Sequence, residues 1–319
     1  MKHVLIEFDL AGAEWVVVAY MAGDANMLDV VASGKSPHVV TGSLMCRVPE
    51  DLVIEENKLV GIHTDPDIVA SYRSRLTFPV NAFLPRSMSI RQAGKKSNHG
   101  LNYFMRYKRF AFENEMPETD AKPIVEAYST IAYPGIQTYW DDTRTTLKKE
   151  DRCLVNPFGR KVRLMGEWGV DLFMAAYAFR PQSTVFDVCR TGMIRSYKDG
   201  HPCSWSMKMG AQVHDSLMAM YPSGNWEEMA LFCQRMIYQH MRVPLGITDP
   251  HGVTREMVLG VDAKVGHNWG EMQSVKVTAN LEETAANLQA ALTPAEDKEA
   301  VVSEEPEWSQ VLVPDFQAP

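Results

Sequence analysis

The sequence predicts an α+β fold: a mixed sheet carrying two aspartates, Asp9 and Asp215, helices packed behind it, and one helical insertion in front. Three observations carry that expectation. Lys2–Asp9 reads as an apolar strand ending in a carboxylate, and it leads into a helix, Ala13–Met21. Met207–Met220 reads as a strand hairpin bent at His214-Asp215. Between them, Ser36–Lys148 has mostly helical periodicity, with turn signals at Pro37, Pro49, Pro79, Pro85 and Tyr133-Pro134-Gly135.

The remaining elements follow in order. Val155–Gly159 reads as a turn between short strands. Ser183–Tyr197 reads as a helix with Val185, Phe186, Val188, Cys189, Met193 and Ile194 on its apolar side, stopped by Gly200. Asn225 caps a helix with Glu227 and Glu228 in its first turn, running to about Met241. There are no internal repeats and no glycine-rich phosphate loop. A chain of 319 residues has ample core for one large or two smaller domains. The five cysteines (46, 153, 189, 203 and 233) lack metal-ligand spacing and read as free thiols of a reducing compartment. Glu7, Asp9 and Glu14 interrupt the apolar N-terminal stretch, which excludes a signal peptide or membrane span there. A cytosolic protein is expected, in the host cytoplasm if virus-encoded.

Charge is segregated. The net charge is −8, and Thr278–Pro319 alone, with nine acids against Lys298, carries all of it. Ile68–Phe112, by contrast, contains nine Lys or Arg and no acid. The acidic tail is rich in Ala, Glu and Pro and has little to bury, so disorder is expected there. It reads as a solubilising extension or as a docking peptide around Trp308-Val311-Leu312.

Chemistry enters with two aspartates at strand ends, Asp9 and Asp215. Such a pair can hold two Mg2+ ions roughly 3.5–4 Å apart for in-line attack on a phosphate. At helical spacing Arg91, Lys95 and His99 share one face. Carboxylates for metal together with a cationic stripe for phosphates describe a nucleotidyl transferase.

These segments resemble the motifs of family A DNA polymerases. Asp9–Glu14 is similar to motif A (D-Y-S-Q-I-E), Arg91–Tyr103 to motif B (R-R-x-A-K-x-x-N-F-G-x-x-Y), and Val213-His214-Asp215 to motif C (V-H-D-E). Tyr133-Pro134-Gly135, Phe158-Gly159-Arg160, Gln182–Asp187 and Gly266-His267-Asn268-Trp269 resemble smaller family motifs in the family order. The resemblance implies a right-hand polymerase: a palm, an antiparallel sheet with packed helices, plus helical fingers. Residues 1–35 and 149–277 would form the palm, 36–148 the fingers, and 278–319 the tail.

The resemblance also implies roles. Asp9 and Asp215, with the Leu10 carbonyl, would hold two Mg2+ ions. Arg91 and Lys95 would neutralise the triphosphate of an incoming dNTP, Lys95 also protonating the departing pyrophosphate. His38 would touch the phosphates, and Glu14 would be the steric gate against a ribose 2′-OH. Tyr103 would close the site beside the templating base, with His99 against the incoming sugar. Arg160 and Gln182 would contact the primer–template minor groove, and His214 would lie near the primer terminus. An aspartate at a turn, a solvated basic helix face, a packed histidine and an exposed helix glutamate are the ordinary alternatives.

Some residues depart from the family pattern. Ser216 stands where most relatives have an acid, His99 where they have Phe or Tyr, Leu10 and Val16 for a tyrosine and an arginine, and Ala178 for an asparagine. Extra residues between His38 and Arg91 suggest an insertion in the fingers. Motif A lies at the start of the chain, so a second polypeptide is expected to supply the thumb and exonuclease. The sheet edge beside Lys2–Asp9 is expected to be open for it. The alternatives are an inactive polymerase-like module that binds primer–template DNA or scaffolds a replisome, and a two-metal phosphodiesterase, which would leave Arg91, Lys95 and Glu14 without a task.

Overall fold

The protein is seen in a computed structural model that describes residues 3–62, 71, 73–74 and 88–293. Residues 294–319, with Trp308, Val311 and Leu312, and much of the proposed fingers insertion lie outside the described residues. In chain order the elements are β1 (His3–Leu10), α1 (Ala13–Ala22), α2 (Ala25–Ala32), α3 (Pro37–Cys46), α4 (Glu50–Ile62), α5 (Ile90–Leu101), α6 (Tyr107–Glu113), α7 (Glu118–Ala127) and α8 (Gly135–Lys149). They continue with β2 (Cys153–Val155), β3 (Lys161–Arg163), α9 (Val170–Tyr197), α10 (Pro202–Trp205), β4 (Lys208–Val213), β5 (Ser216–Pro222) and α11 (Trp226–Arg235). The last are β6 (Leu245–Thr248), β7 (Thr254–Met257), β8 (Val261–Gly266), β9 (Gln273–Val275) and α12 (Leu281–Leu292).

The main sheet has the order β4-β5-β1-β8-β9, and every pairing is antiparallel. The open edge expected beside Lys2–Asp9 is not there. β1 is the middle strand, because β8, whose Val261, Ala263 and Val265 alternate with Asp262 and Lys264, returns from late in the chain to pair with it. The edges of this sheet are β4 and β9. Alternation along β1 then separates two environments. Val4, Ile6, Phe8 and Leu10 are buried, with Phe8 edge-on to Phe232 of α11 at 5.8 Å. Glu7 and Asp9 point to the other face, opposite Lys264 and Asp262 of β8 and Met218 and Ser216 of β5.

Two helices differ from expectation. The helix expected at Ser183 begins at Val170 and runs through Pro181 as the 28-residue α9, so Gln182 lies mid-helix. A proline removes the hydrogen bond to the carbonyl four residues back. Here that carbonyl belongs to Tyr177, and the Tyr139 hydroxyl of α8 donates to it at 2.7 Å. The chain after Thr278 is not disordered as far as Leu292. Asn280 caps α12 by accepting from the Glu283 amide at 3.1 Å, and Ala285, Leu288 and Leu292 are buried. Glu282 and Glu283 are first-turn acids that complement the helix dipole.

The helical block in front is fixed by α3 crossing α5. A Cβ added at Gly42 would lie 2.7 Å from the Ile90 carbonyl oxygen, and one at Gly94 would collide with the His38 carbonyl oxygen. Glycine at both positions is what lets the two backbones touch. The start of α5 is capped by Ser89, which accepts from the Gln92 amide, and by buried Glu56, which accepts from the Ile90 amide at 2.8 Å.

Candidate active site

A cleft of about 870 Å3 lies between the polar face of β1 and the α3–α5 pair. Asp9, Leu10, Glu14, His38, Arg91, Lys95, His99, His214 and Asp215 all line it. Segments some two hundred residues apart in sequence therefore meet around one space.

The aspartate wall is built by backbone geometry. Val213 pairs with Ser216, leaving His214-Asp215 as a two-residue turn. His214 takes φ 52°, the left-handed region that a tight hairpin turn requires. The Leu10 amide donates to the Asp215 carbonyl at 3.0 Å, which fastens the turn to the end of β1. The Asp9 carboxyl is pushed up to about 6, first by burial and then by Asp215, with Glu7 and Asp262 adding and Lys264 opposing. Excess negative charge in a half-buried place is what a divalent cation offsets. Among the described residues, no three His, Cys, Asp or Glu side chains form a metal cage. An open two-carboxylate wall still suits Mg2+, which is commonly held by one or two carboxylates while phosphates and water fill the remaining positions.

The facing wall is cationic. Arg91, Lys95 and His99 follow one another along α5 at intervals of four. His38 lies buried beneath them, its ring pushed down to about 3, first by burial and then by Arg91, Lys95 and His99. The Asn98 amide nitrogen donates to His38 Nδ1 at 3.1 Å and to the Pro37 carbonyl, while its oxygen accepts from Thr41 and Tyr128. A neutral imidazole that accepts at Nδ1 carries its proton on Nε2, so His38 is a hydrogen-bond donor there.

Glu14, in the first turn of α1, joins the walls. Its Oε2 accepts from the Tyr103 hydroxyl at 2.6 Å, and Gln182 Nε2 reaches within 3.5 Å of the same oxygen. His99 Nδ1 is 3.9 Å away. Tyr103 and Gln182 are thereby brought to the site without lining the cleft. Arg160 stands apart: it makes two hydrogen bonds to Asp187, of 2.9 and 2.5 Å, and lies over the Phe186 ring.

Reasoning from sequence missed Asp262, which lines the cleft directly opposite Asp9 on β8, and Asn98, which orients His38. Asp262 could have been found from the alternation of Val261–Val265. Asn98 stands at the asparagine of the motif B pattern, but its task does not show there, because its partners, on α3 and at Tyr128, come from two other segments.

The fold and cleft together define a palm-and-fingers architecture. Residues 67–271 match the sequence model of DNA polymerase family A, and the chain belongs to that family. A thermostable DNA polymerase I of Thermus thermophilus is 23% identical over 253 residues, spanning 76% of this chain and 26% of that protein. The Thermus aquaticus enzyme is 22% identical over 242 residues, 73% of this chain and 24% of its own length. The chain thus spans about a quarter of the curated relatives it matches. Among solved structures, the polymerase domain of Pol1 from M. smegmatis, in complex with DNA primer-template and dNTP, superposes with a TM-score of 0.59 at 20% identity. That match covers 83% of this chain and 40% of the other.

Proposed function

We propose that this chain is the palm and fingers of a template-directed DNA polymerase that adds dNTPs to a primer 3′-hydroxyl. The observation that carries the reading is one cleft with Asp9 and Asp215 on one wall and Arg91 and Lys95 on the other. When bound, two Mg2+ ions supply activation of the attacking hydroxyl and stabilisation of the leaving group. Asp9, Asp215 and the Leu10 carbonyl would hold them.

The chain's own groups then position and neutralise. Arg91 and Lys95 receive the triphosphate, and Lys95 protonates the departing pyrophosphate, a reading supported by their shared wall of the cleft. His38, neutral and held by Asn98, offers its Nε2 proton to a phosphate oxygen. Glu14, fixed by Tyr103 and Gln182, excludes a 2′-hydroxyl, and His99 faces the sugar beside it. Tyr103 closes the templating position, while His214, Gln182 and Arg160 serve the primer–template. A second polypeptide would supply the grip of a thumb and an exonuclease; co-purification from the native source with mass spectrometry tests this.

Primer extension with Asp9→Asn and Asp215→Asn is the direct test of the catalytic reading. Incorporation should fall below a few per cent of wild type while primer–template binding is kept. Substantial extension by both variants would overturn the two-metal assignment.

A further inference from the structure

The fifteen residues Arg152–Gly166 contain four cations (Arg152, Arg160, Lys161 and Arg163) and are flanked by Glu150, Asp151 and Glu167, of which Asp151 pairs with Arg163 at 2.6 Å across the exposed surface. They form the β2–β3 hairpin and its exit. Leu154 and Val162 turn inward and, with Leu147, Leu172 and Ala176, build a small core separate from the main one. Lys161 and Arg163 project from the opposite face. Beyond them Met165 is 80% and Trp168 49% exposed, with Phe158 and Phe186 also at the surface.

The rings and cations are organised as pairs. The Arg152 guanidinium lies 4.6 Å from the centre of the Trp168 ring, and that of Arg160 5.0 Å from Phe186. Asn156 fixes the turn, accepting from the Phe158 and Arg160 amides and donating to Asp187 on α9 at 2.8 Å. Arg160 is neutralised by Asp187 and Arg163 shares its charge with exposed Asp151, so Lys161 and Arg163 leave a net positive edge beside the exposed rings.

We propose that this outer hairpin face binds single-stranded nucleic acid, with phosphates on Lys161 and Arg163 and bases against Trp168 and Phe158. Charge complementarity selects a polyanion. The exposed rings select a single strand, because a duplex hides its base faces in its own stack while an unpaired strand offers them to aromatic side chains. The inference extends the polymerase reading to a surface outside the cleft and does not require that the chain be catalytic.

The test is fluorescence anisotropy of the full chain with a labelled oligothymidylate and with a blunt duplex of equal length, without nucleotide or divalent ion. Lys161→Glu/Arg163→Glu should weaken oligothymidylate binding about tenfold or more and flatten the logarithmic salt slope by roughly 0.7 per cation lost. Trp168→Ala should weaken it about fivefold or more with no change in that slope. Lys161→Gln/Arg163→Gln, with Tm measured alongside, covers the case in which charge reversal disturbs folding. Duplex binding should change less than twofold. Equal losses for both probes would identify a duplex contact and overturn the proposal, as would unchanged oligothymidylate affinity. Primer extension at saturating primer–template should keep its wild-type rate in these variants, so failure here stays distinct from failure of the catalytic reading.

Discussion

Asp9 carries the clearest consequence at the scale of one residue. Its carboxyl is raised from 3.8 to about 6 in the folded protein. A raised carboxyl contributes stability that is complete below pH about 4 and is lost as the pH climbs through about 6. Asp9→Asn cannot ionise and escapes that loss. Without divalent ions its Tm should be no higher than wild type at pH 4, and should exceed it at pH 8 by an amount worth roughly 1 kcal/mol, allowing for solvent screening. Mg2+ should then raise the wild-type Tm more than the variant's, because an ion held by Asp9 and Asp215 would stabilise the folded state alone. Parallel Tm curves across pH would show that Asp9 does not sit among uncompensated charges. Glu14 is tested separately. Glu14→Ala should raise ribonucleotide incorporation relative to dNTPs, and Tyr103→Phe should do so in part, because the Tyr103 hydroxyl holds the Glu14 carboxylate. Measured rNTP/dNTP ratios decide it, and an unchanged ratio in Glu14→Ala removes the gate.

Elements show how much could be read in advance. The strand at β1, the His214-Asp215 bend, the Asn225 cap and the cationic stripe on α5 were all legible, because each is signalled within about ten residues. The placement of β8 beside β1 was not. Strand pairing across some 250 residues leaves no local trace, and with it went Asp262 and the position of β1 at mid-sheet. α9 was read short because its passage through Pro181 depends on a hydroxyl from α8. α12 carries its Ala285, Leu288 and Leu292 stripe in a segment whose acids, Glu282 and Glu283 among them, have the composition of a solvated tail. That stripe gives a prediction. Truncation before Thr278 should destabilise the protein by about 3–5 kcal/mol relative to truncation after Thr293, from the buried leucines and the uncovered β8–β9 face. Denaturant midpoints of the two truncations check it, and equal midpoints would mean that α12 adds nothing to the fold.

At the scale of the whole molecule, the charges of the C-terminal residues and of the fingers stand in opposition. Residues 294–319 hold seven acids and one lysine. Removing them should tighten binding to a primer–template duplex at low salt, with the difference vanishing as ionic strength rises. Duplex affinity titrated against salt, with and without those residues, measures the effect; a difference that survives high salt would point to direct contact instead. No helix among the described residues is long and apolar enough to cross a membrane. The contact between Gly42 and Gly94 has a mechanical corollary. With no side chain between the two backbones, α3 and α5 have no cushion in which to slide or roll independently. A displacement of either helix would be passed to the other at that contact, so that His38 on α3 and Arg91 and Lys95 on α5 would move together. The cationic wall of the cleft would therefore advance or withdraw as one unit.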